Sequence, residues 1–311
     1  MKRLKTHLPK NILTAVCLIL LSVSCLKEDN DNCRSTIRLH FTYTFNPDYT
    51  DLFTGHVNDL FLYFFDGNEV YRRRIPIDAT HLDPSNTLTL ELEEGDYTII
   101  AIGNPDPASY QLDPAPGMDK QGVTLVKDTN GEIPPMSTDL FHGAATFTVT
   151  PNTNQTVEIP MVRDTNNINT LLATTDSAET GSGSVYTVRI TSSNGAIDFN
   201  NNTVPVPAIY KPVYSETEYK NAPYHQAYFK IFKLALGDDT TIELYRDGNL
   251  EHSDKVVPLI TENFPKVQTN EDLLRYCDYQ FVYKPDDKGV YVLSSITVGD
   301  WTKQLDQQSG I

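Results

Sequence analysis

Between Ile37 and Phe45 the chain alternates strictly. Ile37, Leu39, Phe41, Tyr43 and Phe45 are separated by Arg38, His40, Thr42 and Thr44, the period of two that marks a strand with one buried face. Val57 to Phe65 is instead a largely apolar and aromatic run, ended by Asp66, Gly67 and Asn68 with Val70 and Tyr71 beyond, and it reads as a hairpin over a tight turn. Leu88, Leu90 and Leu92 alternate with Thr89 and Glu91, break at Glu94, Gly95 and Asp96, and resume through Tyr97, Ile99 and Ala101; this pattern predicts a second hairpin. Asn104 to Pro135 is rich in Pro, Asp and Gly with little periodicity, the signature of a long loop with at most one short element. Phe147 with Val149, and then Val157, Ile159 and Met161, predict two further strands.

After Arg163 to Asn169 and a small, polar stretch from Ala173 to Ser184, the same grammar restarts. Tyr186, Val188 and Ile190 alternate with Thr187 and Arg189, and Ile197 with Phe199 follows a turn at Ser193, Asn194 and Gly195. Phe229 with Ile231, Ile242 with Leu244, Tyr279 with Phe281 and Tyr283, and Val290 to Val298 supply more strands, while Arg246, Asp247, Gly248 and Asn249 form a tight turn. One helix is predicted near 270–277, with Asn270 as N-cap, Glu271 and Asp272 in the first turn, and Leu273, Leu274 and Cys277 on one face. Many short strands with almost no helix imply an all-β fold of two tandem sandwiches, over 35–162 and 163–311.

The amino terminus carries a different pattern. Lys2, Arg3, Lys5 and Lys10 precede an apolar run from Ile12 to Val23 that is too short to span a bilayer, and Leu21, Ser22, Val23, Ser24 and Cys25 close it. This resembles a bacterial lipoprotein signal peptide over 1–24, with Cys25 the lipidated first residue and 25–34 a polar linker. The resemblance implies an extracytoplasmic protein held to a membrane by its acyl chains, since burial of acyl chains contributes about 0.8 kcal/mol per CH₂ and several chains make the tether permanent.

Removal of residues 1–24 takes away four of the 25 basic residues and none of the 41 acidic ones, leaving a net charge of −20. Such a surface repels nucleic acid and anionic headgroups. Cys33 and Cys277 are then the cysteines not lost or lipidated, and in an oxidising compartment they form either a disulfide or two unpaired thiols. No P-loop, nucleophile elbow or dinucleotide fingerprint occurs, and His40, His56, His81, His142, His225 and His252 stand singly, without metal-ligand spacing. No enzyme activity, cofactor or metal is expected. The 17 tyrosines suit strand packing.

Five segments in order carry a resemblance: the lipobox, Cys33 before the alternating strand, "VNDLFLYFFD" at 57–66, "LEEGDYTIIAIGN" at 92–104 and "MVRDTNNI" at 161–168. Together they resemble the FimB-type anchor subunits of bacterial fimbriae over most of the chain. The resemblance implies two transthyretin-like sandwiches, an outer-membrane lipid anchor at Cys25 with surface exposure, and a role in attaching a fimbrium and limiting its length, with a fimbrial shaft subunit as partner. It also implies strand exchange between subunits. Shaft subunits open a groove by losing their first strand, whereas cutting here after Arg34 or Arg38 would release the protein from its lipid, so this chain is expected to keep that strand and donate. The candidate donor is the C-terminal segment carrying Val290, Val292, Ile296, Val298 and Trp301, with an internal edge strand as the competing reading. Alternative functions are a surface lipoprotein binding glycan or peptide, and a tip or shaft subunit of the same family. Asp176, Ser177, Ala178 and Asp239, Thr240, Thr241 resemble the short O-glycosylation sequence of such bacteria, and both are expected in solvated loops.

Overall fold

The computed structural model describes residues 34–113, 121–174 and 186–305. Strands dominate, as the alternation predicts. The first half contains β1 (Ser35–Thr42), β2 (Asp59–Asp66), β3 (Tyr71–Asp78), β4 (Thr87–Leu92), β5 (Gly95–Gly103), β6 (Tyr110–Leu112), β7 (Gln121–Leu125), β8 (Phe141–Val149) and β9 (Asn154–Arg163), with one helical turn, α1 (Phe53–His56). Seven of these strands hydrogen-bond in the order β3-β2-β5-β8-β9-β1-β4. The sheet folds over on itself because β8 and β9 pair only from Phe141↔Arg163 to Gly143↔Met161. Beyond that corner Ile37, Leu39 and Phe41 of β1 pack against Leu60, Leu62 and Phe64 of β2 in one core.

Gly143 sits at the corner. A Cβ there would lie 2.9 Å from Ile159 Cγ2 and 3.0 Å from the Pro160 carbonyl oxygen, closer than packed atoms approach. Gly143→Val is therefore expected to lower the unfolding free energy by about 1–3 kcal/mol through overpacking, seen as a lower urea midpoint with an unchanged m-value.

The unbroken apolar run Leu60–Phe65 has a physical reason. Alternate residues of β2 point to opposite faces, and both faces are covered: Leu60, Leu62 and Phe64 face the first core, Tyr63 and Phe65 a second one. β5 behaves alike, with Ile99 and Ala101 on one side and Ile100 and Ile102 on the other. These two strands form a wall shared by both halves.

The second half contains β10 (Thr165–Ala173), β11 (Tyr186–Ser192), β12 (Ala196–Asp198), β13 (Thr203–Val204), β14 (Ala208–Tyr210), β15 (Val213–Tyr219), β16 (Ala222–Phe232), β17 (Thr241–Arg246), β18 (Asn249–Lys255), β19 (Asp278–Pro285), β20 (Tyr291–Val298) and β21 (Trp301–Gln304), with α2 (Val256–Asn263) and α3 (Asn270–Arg275) between β18 and β19. A six-stranded sheet, β15-β16-β10-β19-β20-β21, and a four-stranded sheet, β14-β11-β17-β18, form this sandwich. The β17–β18 turn is the two-residue hairpin that Asp247 and Gly248 predict, both at positive φ.

Several expectations are corrected. β4 and β5 do not form a hairpin: β4 pairs with β1, while β5 pairs with β2 and β8, so the Glu93–Glu94 turn crosses between layers. The segment 104–135 is more than a loop, because β6 and β7 join β12 and β13 in a four-stranded sheet, β13-β12-β7-β6, that unites the two halves. Phe199 presses beneath it against Tyr63, with ring centroids 4.7 Å apart. The second half also contains α2, missed because Val256, Val257 and Ile260 are poor helix formers and Pro258 ends most helices; here Pro258 lies in the first turn, where a missing N–H costs nothing. The N-cap of α3 is Thr269, not Asn270: Thr269 and Asp272 form a reciprocal capping box.

Candidate tether and strand-exchange surfaces

β1 lies between β4, antiparallel, and β9, parallel. Ile37, Leu39 and Phe41 are fully buried, each contributing roughly 1.5–3 kcal/mol relative to exposure. Its first residue is fastened as well: the Ser35 hydroxyl donates to the Thr150 carbonyl at 2.6 Å, and the Thr153 amide donates back to it at 3.2 Å. Cys25 and Cys33 lie outside the described residues, as does the signal segment. Arg34 precedes the strand and is exposed, whereas the Arg38 backbone is laddered to Thr89 and Thr156. Of the two candidate cleavage sites, only Arg34 is accessible while the sandwich is intact.

At the other end of the chain, the five residues of the proposed donor do not share one surface. Val290 is half-buried in the turn before β20, Val292 is half-buried within β20, and Ile296 and Val298 are fully buried in the second core. A register shift opposite Val282 and Tyr283 inserts Ser294 into the ladder, so the residues on its two sides change face. Tyr291 and Leu293 therefore join Ile296 and Val298 against the core. β20 is interior from Ser295 to Val298, where β21 covers it; β21 is the sheet's outer edge. Trp301 opens β21 half-buried, its ring 5.0 Å from that of Tyr276 and Lys266 4.8 Å above it. Thr302, Lys303 and Gln304 are exposed, and no strand pairs with their outer side among the described residues.

The two ends are connected through the "MVRDTNNI" segment, whose side chains were not individually assigned from sequence. Asp164 alone separates β9 from β10. Arg163 donates to the carbonyls of Thr165 at 2.9 Å and Cys277 at 3.1 Å and to the Asp278 carboxylate at 3.0 Å, with Asp139 at 3.8 Å. Asp139 also accepts from Lys230 at 2.6 Å and Thr165 at 3.0 Å. Asn167 donates to Asp278 and accepts from Tyr228, and Lys233 reaches Asp164 at 3.2 Å. Burial disfavours the Asp139 carboxylate, but Arg163 and Lys230 outweigh it and hold the group below the usual carboxylate range. Burial likewise opposes the Arg163 charge, and the Asp139 and Asp278 carboxylates outweigh it. Cys277 itself is a buried thiol, pushed up to about 11 by burial, and donates to the Leu274 carbonyl.

Thr240 departs from its expected solvated loop. It is fully buried, its hydroxyl 2.9 Å from that of Ser192, and leaves no room for a glycan in the folded chain; Asp176, Ser177 and Ala178 lie outside the described residues. Among the described residues no three His, Cys, Asp or Glu side chains are grouped to hold a metal ion, and no helix is long and apolar enough to cross a membrane.

The chain is thus β-rich, with a sealed first strand, a wall shared by its two halves and, among the described residues, an unpaired outer side on β21. The chain belongs to the family described as fimbrillin-A associated anchor proteins Mfa1 and Mfa2, whose model matches residues 30–307. Its fold is similar to that of the fimbrial anchor protein Mfa2 from Porphyromonas gingivalis, with 17% identity over 88% of this chain and 99% of that one and a TM-score of 0.70. A candidate adhesin from Bacteroides ovatus matches with 19% identity over 90% and 99% and a TM-score of 0.73. A candidate polysaccharide-binding protein from Bacteroides thetaiotaomicron matches with 19% identity over 90% and 100% and a TM-score of 0.70. No curated protein sequence matches the chain.

Proposed function

We propose that this protein is the lipid-tethered base of a fimbrium, fixed in the outer membrane through acylated Cys25 and joined to the first shaft subunit by strand exchange at its C-terminal edge. The observation that carries the reading is the placement of β1. It begins at Ser35, and the ten residues from Cys25 to Arg34 can span at most about 35 Å, so lipid and sealed strand are coupled closely. A subunit that must keep β1 to stay attached cannot offer the groove that β1 fills. Growth then proceeds from the other end, where β21 has no strand on its outer side among the described residues, an edge suited to β-augmentation.

Ile296 and Val298 serve the chain's own core in the closed state, so exchange through 290–301 requires β20 and β21 to detach or β21 alone to pair. Deleting 302–311 separates the two: Trp301 and the β20 core remain, and most of β21 is lost. The expected result is loss of co-purifying shaft subunit with membrane attachment unchanged. Retention of shaft subunit at the wild-type level by the folded deletion variant would remove this edge from the assembly.

A further inference from the structure

The second sandwich contains a groove that neither the tether nor β21 uses. β11 pairs with β17 along Tyr186 to Thr191, but on its other side β14 covers only Ile190 to Ser192. The chain leaves β14 at Tyr210, and Pro212, which has no amide hydrogen to continue a ladder, turns it into β15 of the opposite sheet. No strand pairs with that side of Tyr186 to Arg189 among the described residues. A side chain stands in for one: the Tyr214 hydroxyl accepts from the Val188 amide at 2.9 Å and donates to the Val188 carbonyl at 3.3 Å. Beside this edge lies a cleft of about 410 Å³ between the two sheets, floored by Leu172, Val188 and Ala227 and walled by Tyr186 and Tyr214. Its rim carries Glu216, paired with His225 at 2.5 Å, and Glu218 follows along β15.

We propose that this groove binds an extended segment of another protein as an added strand beside β11. The segment would place aliphatic side chains at alternate positions into the cleft and cationic residues against the Glu216 rim. An extended occupant follows from the half-open ladder, because a strand can supply the amide and carbonyl partners that the Tyr214 hydroxyl supplies now. A cationic one follows from the acidic rim on a chain whose net charge is −16 even with its basic leader. The chain's own neighbouring segment is unsuited: residues 175–185 contain only Ala178 and Val185 as apolar side chains, too few for alternate filling. The site is remote in sequence from Cys25 and β21, so it stands whether or not those carry attachment and assembly.

The test uses the purified protein and a capped peptide, Lys-Val-Thr-Val-Thr-Val-Thr-Val-Lys, against a control of the same composition with its valines contiguous. The alternating peptide is expected to bind saturably and to slow hydrogen exchange of the Val188 amide. Tyr214→Phe keeps the ring and removes the competing hydroxyl, and should tighten binding about fivefold, the worth of one hydrogen bond. Glu216→Lys, on the exposed rim, should weaken it about tenfold at low salt and less at high salt. Absence of saturable binding to both wild type and folded Tyr214→Phe would overturn the proposal. Equal binding of the contiguous control, or no change in Val188 exchange on binding, would overturn it as well.

Discussion

Arg163→Met will lower the unfolding free energy by about 3 kcal/mol, the low end of the 3–5 kcal/mol that follows loss of one partner from a buried ion pair. The low end applies because Lys230 still holds Asp139 at 2.6 Å and Asp278 is more than half exposed. What is lost includes two donations to the Thr165 and Cys277 carbonyls, which water replaces poorly at a side chain only 8% exposed. The effect depends on pH in a definite direction. Asp139 has its folded value depressed, so its contribution is fully present above the unfolded carboxylate value near 4 and is lost as pH falls through the lower folded value. The gap between wild type and variant should therefore be full at pH 7 and shrink below about pH 4. Adding Asp139→Asn should not recover the loss, since it leaves the Lys230 ammonium, 9% exposed, without its carboxylate partner. Urea titrations across pH measure all three.

Cys25→Ala will shift the protein almost entirely out of the membrane fraction. One acyl chain gives only marginal binding and several give effectively permanent anchoring, while the acidic surface offers no electrostatic substitute on anionic lipid. The body should still fold, because its first strand begins at Ser35 and its first core at Ile37. Co-purification of shaft subunit with the released body would then show that tether and assembly edge act separately.

The sequence disclosed those parts of the fold in which local pattern and burial agree. β1 is legible because one face is core and the other polar, and β2 because both its faces are core. Where a residue's partner lies far along the chain, pattern failed. The strands β6 and β7 are too short and Pro-flanked to show a period, and the strand that ties β7 to the second half, β12, comes more than 70 residues later. The β4–β5 crossover looks like a hairpin because turn residues mark a reversal without saying which sheet receives the returning strand. In the C-terminal segment a single bulge at Ser294 broke the alternation that made Val290, Val292, Ile296 and Val298 look like one face. The Arg163 cluster was invisible as chemistry for the same reason, since Asp278 lies 115 positions away. The proposed tether, by contrast, rests on a purely local pattern, Leu21 to Cys25.

The measurement that bears most directly on the base-subunit reading is the intact mass of the mature protein purified from outer membranes. The account predicts a chain that begins at acylated Cys25 and retains β1, with the acyl mass removed in Cys25→Ala. A mature chain starting beyond Phe45, with the first strand gone and no lipid, would contradict it and mark the protein as a subunit that opens its groove.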